Sequence, residues 1–291
     1  MGSATLVVGS GTAGAHAGMS SSSIRLLMEA LMTLTALGRQ GELRDPSGLL
    51  GRVEAAIGPV QAAMLYGSQA RGSAGKRSDI DVLVLVSEDP RNVTDGDLMI
   101  TAYLPDHLLA LAERGSIFVL HLRHDGVVLH DPAGTLSATL SAYRPPSNPD
   151  RLAAELAVVA SGLIAATEVE RVSLGSALQG LAFYVLRSAV YNSCAQRGEP
   201  QFDCHLALRQ LGLGHLGPIL EERRHEYSTQ RLDRVLNVLP LVLPGCEWPE
   251  RTGAAATAVA VATDWPLASD LLAGAIAGKS IDYTALSLPP V

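Results

Sequence analysis
Two short stretches of this chain hold residue types from which a phosphate site can be built. The first is Leu65-Tyr66-Gly67-Ser68-Gln69-Ala70-Arg71-Gly72, and the second is Ser78-Asp79-Ile80-Asp81-Val82-Leu83-Val84-Leu85-Val86. Ten residues separate Ser68 from Asp79, and one separates Asp79 from Asp81. The apolar run Ala62 to Tyr66 predicts a strand. It ends at Gly67, where the backbone can turn sharply and approach a ligand with no Cβ in the way. Ser68 adds a hydroxyl and a backbone N–H, both able to meet a phosphate oxygen. Ser78 to Val86 predicts a second strand, and alternation puts Asp79 and Asp81 on one face of it. Paired carboxylates at the mouth of a buried strand repel each other unless a cation lies between them. Mg²⁺ suits them, because it takes hard oxygen ligands and is bound through one or two carboxylates plus substrate phosphates. Such a pair beside a phosphate-binding turn is the chemistry of phosphoryl or nucleotidyl transfer.

Each half alone says little: Asp-x-Asp commonly marks a solvated strand end, and Gly-Ser is any turn. Together, at this spacing, they resemble the nucleotidyltransferase fold of the DNA polymerase beta superfamily. The likeness is greatest to its small prokaryotic branch, written Gly-Ser, ten residues, Asp-x-Asp, and Arg71-Gly72 and Ser78 also fit it. The motif covers Ala62 to Val86, with weaker support to about Pro132. The resemblance implies a nucleoside triphosphate held on Gly67 and Ser68, and Mg²⁺ or Mn²⁺ held by Asp79 and Asp81, the expected catalytic pair. Arg71 and Lys76, with Arg77, are cations in the loop between the two halves and are expected to pair with the triphosphate.

These residues need elements to hold them. Residues 1–22 are rich in Gly, Ser and Ala, and Val8 to Gly14 matches a dinucleotide-binding glycine pattern. That fingerprint needs a preceding strand, a following helix and a later acid. Here the glycines run into Met19 and four serines, so the segment reads as a flexible tail, with Met19 an alternative start. Ile24, Leu27, Leu31, Leu34 and Leu37 predict a helix, and Asp45-Pro46 opens another that runs to about Ile57. After the Asp-x-Asp strand, Ser87 to Gly96 reads as a polar loop, and Leu98 to Arg114 as a helix interrupted near Pro105. Ile117 to Leu122 reads as a third strand, and Val127 to Leu129 as a fourth returning through an Asp125-Gly126 hairpin. Arg144 to Pro149 is a linker, and everything beyond it reads as helix. The expected fold class is α+β: a small mixed-sheet domain over 23–143, then an all-α helical bundle over 150–291.

The superfamily supplies a third carboxylate from the strand next to Asp-x-Asp. Ile117 to Leu122, in that place by order, has no Asp or Glu, and its polar residue is His121. His121 is a cleft candidate, although a lone His in an apolar strand is more often a core residue. Asp125 and Asp131 read as a turn residue and a strand terminator. In the helical half, Arg187 and Tyr191 lie four apart and share a helix face, where they are candidates to line the cleft. In the higher-eukaryote-and-prokaryote nucleotide-binding helical family, such an Arg is followed a few residues later by a His to make a ribonuclease site. Here Asn192 stands instead, which disfavours a nuclease.

Composition narrows the classes. The chain has 291 residues, 47% hydrophobic and 18% charged, which excludes wholesale disorder. The net charge of −7 disfavours a long nucleic-acid partner. Cys194, Cys204 and Cys246 lack any Cys-x-x-Cys spacing, which fits a reducing compartment and no structural zinc. No apolar run reaches the ~18 residues of a membrane span. The expectation is a cytoplasmic transferase that takes a nucleoside triphosphate and a small-molecule or protein acceptor, and that is compatible with a homodimer. The alternative is a non-catalytic, antitoxin-like nucleotide-binding module without the third acid.

Overall fold
Short apolar runs, the central ones buried on both faces, build a five-stranded sheet at the N-terminal side of the described chain. The structure is a computed structural model that describes residues 46–75, 78–243 and 253–278. The strands are β1 (Ala62–Tyr66), β2 (Ile80–Leu85), β3 (Asn92–Asp95), β4 (Leu98–Tyr103) and β5 (Val127–His130), in the order β3-β4-β2-β1-β5. β1 runs antiparallel to β2 and to β5, while β2 and β4 are parallel, so the sheet is mixed. β1 matches the sequence expectation in full, and the second strand is shorter than expected, opening at Ile80 with Asp79 just outside it.

Each face of the sheet has its own core. Val82 and Val84 of β2, with Ala63, Leu65, Leu98 and Ile100, pack against Leu49 and Val53 of helix α1 (Pro46–Ile57). Leu83 and Leu85 point the other way, with Met64 and Tyr103, and are covered by α3 (Pro105–Glu113), α4 (Ile117–Asp125) and α5 (Thr135–Ser141). The period of two along the strands therefore assigns Asp81 to the second face. The four-residue helix α2 (Gly67–Ala70) is the turn that leaves β1.

Two expectations are corrected here. Ile117 to Leu122 is the body of helix α4, not a strand. Ser116 caps it by accepting from the Phe118 N–H, and Val119, Leu122 and Asp125 are buried three apart. Leu98 to Tyr103 is β4, not the start of a helix. It forms a hairpin with β3 through Gly96 (φ +61°) and Asp97, and only from Pro105 does the chain become helical. β5 consequently pairs with β1 rather than with a strand at 117–122.

Beyond the loop at 144–149 the described chain is helical, as expected: α6 (Asp150–Ala165), α7 (Glu168–Gln196), α8 (Cys204–Gln210), α9 (Gly217–Glu221), α10 (Thr229–Val242), α11 (Ala254–Val261) and α12 (Pro266–Ile276). The 29-residue α7 is central, packed against α6, α8, α10 and α12. Its buried residues, such as Leu178, Leu181, Ala182, Val185, Leu186 and Ala189, lie on several sides of the helix, as a helix enclosed by others requires. The described residues fall within one compact unit that holds both the sheet and these helices. The tail at 1–22, the helix expected over Ser23 to Leu37, Lys76, Arg77 and Cys246 lie outside the described residues. No described helix is long and apolar enough to cross a membrane.

Candidate active site
The antiparallel register of β1 and β2 sets Tyr66 opposite Asp81. The next residue, Gly67, has φ +75°, a left-handed conformation that favours glycine. A Cβ built on it would lie 2.5 Å from Asp81 Oδ2 and 3.3 Å from Asp81 Cγ. Gly67 is therefore glycine for two reasons, its φ and the carboxylate pressed against its α-carbon. The two halves of the motif, apart in sequence, meet at this point. Asp81 is half-buried, Asp79 is exposed just before the strand, and Ser68 is half-buried on α2.

Among the described residues, no third acid joins this pair in a metal-binding cluster. The strand next to β2 is β4, and the parallel register brings Met99 level with Asp81. β4 has no Asp or Glu. Asp97, just before it, is turned to α1, where its carboxylate meets Arg52 at 2.6 Å. Asp131 accepts from the N–H groups of Leu136 and Ser137 at the start of α5, so it is committed to that helix. Among the described residues there is no cluster of three or more His, Cys, Asp or Glu that would hold a metal ion. Two carboxylates at an accessible strand end still fit Mg²⁺ or Mn²⁺, which fill their remaining positions with water and phosphate oxygens.

Arg71 ends α2 and turns away from the surface. Its Nη1 lies 2.6 Å from Asp125 Oδ2 and 3.2 Å from His121 Nε2. Asp125, read from sequence as a turn residue, is the last residue of α4, and its side chain has no exposed surface. His124 Nδ1 lies 2.6 Å from its other oxygen. Burial raises the Asp125 pKa, but hydrogen bonds from His121, His124 and Arg71 outweigh it and hold the carboxyl well below the usual carboxylate range. Burial pushes His121 down from its ordinary value, against the pull of Asp125.

The structure also brings together the three cleft candidates. His121 stacks on Phe202 with ring centroids 4.5 Å apart, and Tyr191 meets the same Phe202 edge-on at 5.3 Å. Tyr66 of β1 packs edge-on to His121 at 5.8 Å, so a chain of rings runs from the Asp81 strand pair to α7. The Tyr191 hydroxyl lies 2.9 Å from Cys204 Sγ. Burial pushes the Tyr191 phenol well above its ordinary value and the Cys204 thiol up as well, Arg187 opposing in both cases. Burial thus favours the neutral form of both groups. Sequence reasoning missed Phe202 and the role of Asp125, because nothing local marks either one.

The sequence of residues 56–118 matches the family described as polymerase beta, nucleotidyltransferase. Those residues are a nucleotidyltransferase domain of the polymerase beta type. The match begins at the end of α1, contains Gly67, Ser68, Asp79 and Asp81, and stops as α4 begins. Among solved structures, a nucleotidyltransferase-like protein from Exiguobacterium sibiricum is similar over 69% of this chain and 74% of its own, at 15% sequence identity and a TM-score of 0.26. Comparison with curated proteins gives no match. A nucleotidyltransferase-like domain at residues 56–118 supports the general class of nucleotidyl transfer.

Proposed function
We propose that this chain moves a nucleoside monophosphate, AMP from ATP, to a hydroxyl acceptor, as the small prokaryotic nucleotidyltransferases do. The observation that carries this reading is the meeting of Gly67 with Asp81, where a Cβ would lie 2.5 Å from the carboxylate. A turn able to receive phosphates and a carboxylate able to hold their counter-ion then lie side by side. Gly67 lets the triphosphate approach the backbone, and Ser68 offers its hydroxyl and N–H. Asp79 and Asp81 are the residues that would hold Mg²⁺ or Mn²⁺. When bound, the ion supplies neutralisation of the phosphate charge. The acceptor oxygen forms a bond to the α-phosphorus and gives up its proton to solvent, while the in-line bond from the α-phosphorus to the bridging oxygen of the β-phosphate breaks and pyrophosphate leaves. Positioning and charge stabilisation carry most of the rate.

The acceptor we favour is a small molecule, ahead of a tyrosine on a partner protein, on the ground that a helical region follows the sheet as in antibiotic nucleotidyltransferases. The acidic net charge weighs against a long RNA. The test is pyrophosphate release from each of the four ribonucleoside triphosphates with Mg²⁺ or Mn²⁺, with and without acceptor panels, for wild type and for Asp79→Asn and Asp81→Asn. Release that needs both aspartates supports the assignment; release retained in both variants sinks it.

A second reading is a nucleotide-binding module without turnover. It is favoured by one observation, that Met99 rather than an acid is level with Asp81 on the neighbouring strand. Stoichiometric nucleotide binding by calorimetry, with no pyrophosphate under any acceptor, is the result it expects.

A further inference from the structure
The Gly67–Ser68 turn is a weak element by itself. α2 is a single turn of four residues, far short of the length at which a helix holds its own shape. Its internal bonds are few: Arg71 N–H to the Gly67 carbonyl at 3.2 Å, Gly72 to Gln69 at 3.1 Å and Ser73 to Ser68 at 3.0 Å. Beyond it, Gly72 to Gly75 are exposed. β1 fixes the turn's entry. Its exit is fixed by the Arg71 guanidinium, which reaches across 54 residues of sequence to Asp125.

We propose that Asp125 is a positioning residue for the Gly67–Ser68 turn, acting through Arg71. Three observations carry this. First, Asp125 is held rigidly. It closes α4, and the next residue, Gly126, is so enclosed that a Cβ would lie 2.4 Å from both the Leu122 carbonyl and Met64 Sδ. The chain then runs directly into β5, which pairs with β1. Second, the Asp125 side chain has no exposed surface and that of Arg71 is 16% exposed, so each is the other's charge balance in a buried setting. Arg71 Nε is buried with no hydrogen-bond partner, so the guanidinium depends on Asp125 and His121 at its far end. Third, His121 lies one helical turn before Asp125, 3.3 Å from its Oδ2, and stacks on Phe202. The turn is thereby tied to the helical region as well as to the sheet. A guanidinium committed in this way orients the turn rather than meeting the triphosphate itself.

The consequence for nucleotide binding rests on the reading under Proposed function; the brace is read separately. The full chain is compared as wild type, Asp125→Asn, Arg71→Ala and the double variant, each checked for folding by circular dichroism. Two readouts are taken: amide hydrogen exchange across Gly67–Ser73, and ATP affinity by calorimetry with Mg²⁺. The expected result is faster exchange at the turn in each single variant, with β2 and β4 unchanged. ATP affinity should fall about tenfold or more in each, since small misplacements cost that much. The double variant should be no worse than the poorer single, as for two residues acting as one unit. Wild-type exchange at the turn in a folded Asp125→Asn overturns the proposal. So does affinity lost in Arg71→Ala but kept in Asp125→Asn, which would put Arg71 on the ligand. Should Asp125→Asn not fold, Arg71→Ala breaks the brace from its more exposed end, and unchanged exchange there overturns the proposal equally. A wild type that binds no nucleotide would sink the phosphate-site reading, and exchange at the turn would still decide the brace.

Discussion
Carboxylates are used in two opposite ways in the sheet region and in the helical region. At the mouth of β2, Asp79 is exposed and Asp81 is half-buried, pressed on the α-carbon of Gly67. Among the helices, Glu155 is fully buried, with Oε1 on Arg151 at 2.8 Å and Oε2 accepting the Ala268 N–H at the start of α12. Glu170 closes a capping box with Thr167 on α7 and also accepts from the N–H groups of Ala254 and Ala255 at the start of α11. In the helices, carboxylate oxygens are committed to backbone donors left over at helix starts. At the mouth of β2, the central strand of the sheet, Asp79 and Asp81 instead share one strand end beside the turn that leaves β1. The difference is one of place: the helical acids sit on the N–H groups of helix starts, and the sheet acids sit where β2 opens against the Gly67 turn.

The sharpest way to break that contrast is to exchange its effects. Asp79→Asn or Asp81→Asn should lower transfer by about 10²–10³-fold or more, the usual cost of losing one preorganised charge-stabilising group. Unfolding free energy should move by no more than about 0.5 kcal/mol, as for surface changes. Pyrophosphate assays beside urea titrations check both. Glu155→Ala should do the reverse. It strands Arg151, which also stacks on Trp265, and uncaps α12. Breaking a buried pair costs about 3–5 kcal/mol, read as a lower urea midpoint, while nucleotide affinity in the folded fraction stays at the wild-type value.

How far the sequence exposes this contrast depends on the range of the forces involved. β1, the Gly67 turn and the Asp-x-Asp strand are legible because their signals are local: an apolar run, a glycine and alternation. The helical second half is legible from its periodicity. Ile117 to Leu122 misleads because a short, continuous apolar run has no readable period; the Ser116 cap and the three-residue spacing to Asp125 were the available clues. Leu98 to Tyr103 misleads for the opposite reason. Its alternation of buried and exposed residues is that of a strand, and Gly96-Asp97 is a hairpin signal, but the run into Pro105 and the helix beyond it masks both. Whether a third acid exists was left open by the sequence, which took Ile117 to Leu122 as the strand beside Asp-x-Asp; the neighbour of β2 is β4, which has no Asp or Glu. The contacts of Asp125 with Arg71 and of Phe202 with His121 were not legible, since the partners are 54 and 81 residues apart.

Gly67→Ala tests the place where the two uses of a carboxylate come closest. A left-handed φ costs an L-residue roughly 1–2 kcal/mol, and the new Cβ must displace Asp81 Oδ2 from 2.5 Å. The expected outcome is a modest loss of stability and a large loss of transfer, the one variant here that moves both. A Gly67→Ala protein with wild-type turnover would mean that the contact between the turn and Asp81 has no part in the chemistry.

The smallest effect sharpens the helical side, through pH. Burial raises the Glu170 pKa, but the N–H groups of Ala255, Thr167 and Ala254 outweigh it, and the net shift is downward. A folded-state pKa below the unfolded one contributes stability above the unfolded value, about 4.3 for Glu, and loses it as the pH falls through the folded value. Glu170→Gln keeps one acceptor oxygen and loses the charge, so it should cost about 1 kcal/mol at pH 7. The gap to wild type should close as the pH is lowered from about 4, because the wild-type carboxyl is then protonated too. Glu155 gives the opposite sign. Burial pushes its carboxyl up despite Ala268 and Arg151, so its ionisation in the folded state weighs against stability as the pH rises above the ordinary range. Urea unfolding of Glu170→Gln and wild type at pH 7 and at about pH 2.5, below the lowered folded-state value, reads the gap directly. A gap independent of pH would mean that Glu170 supports α11 by shape rather than by charge, and the two carboxylate classes would then differ in position alone.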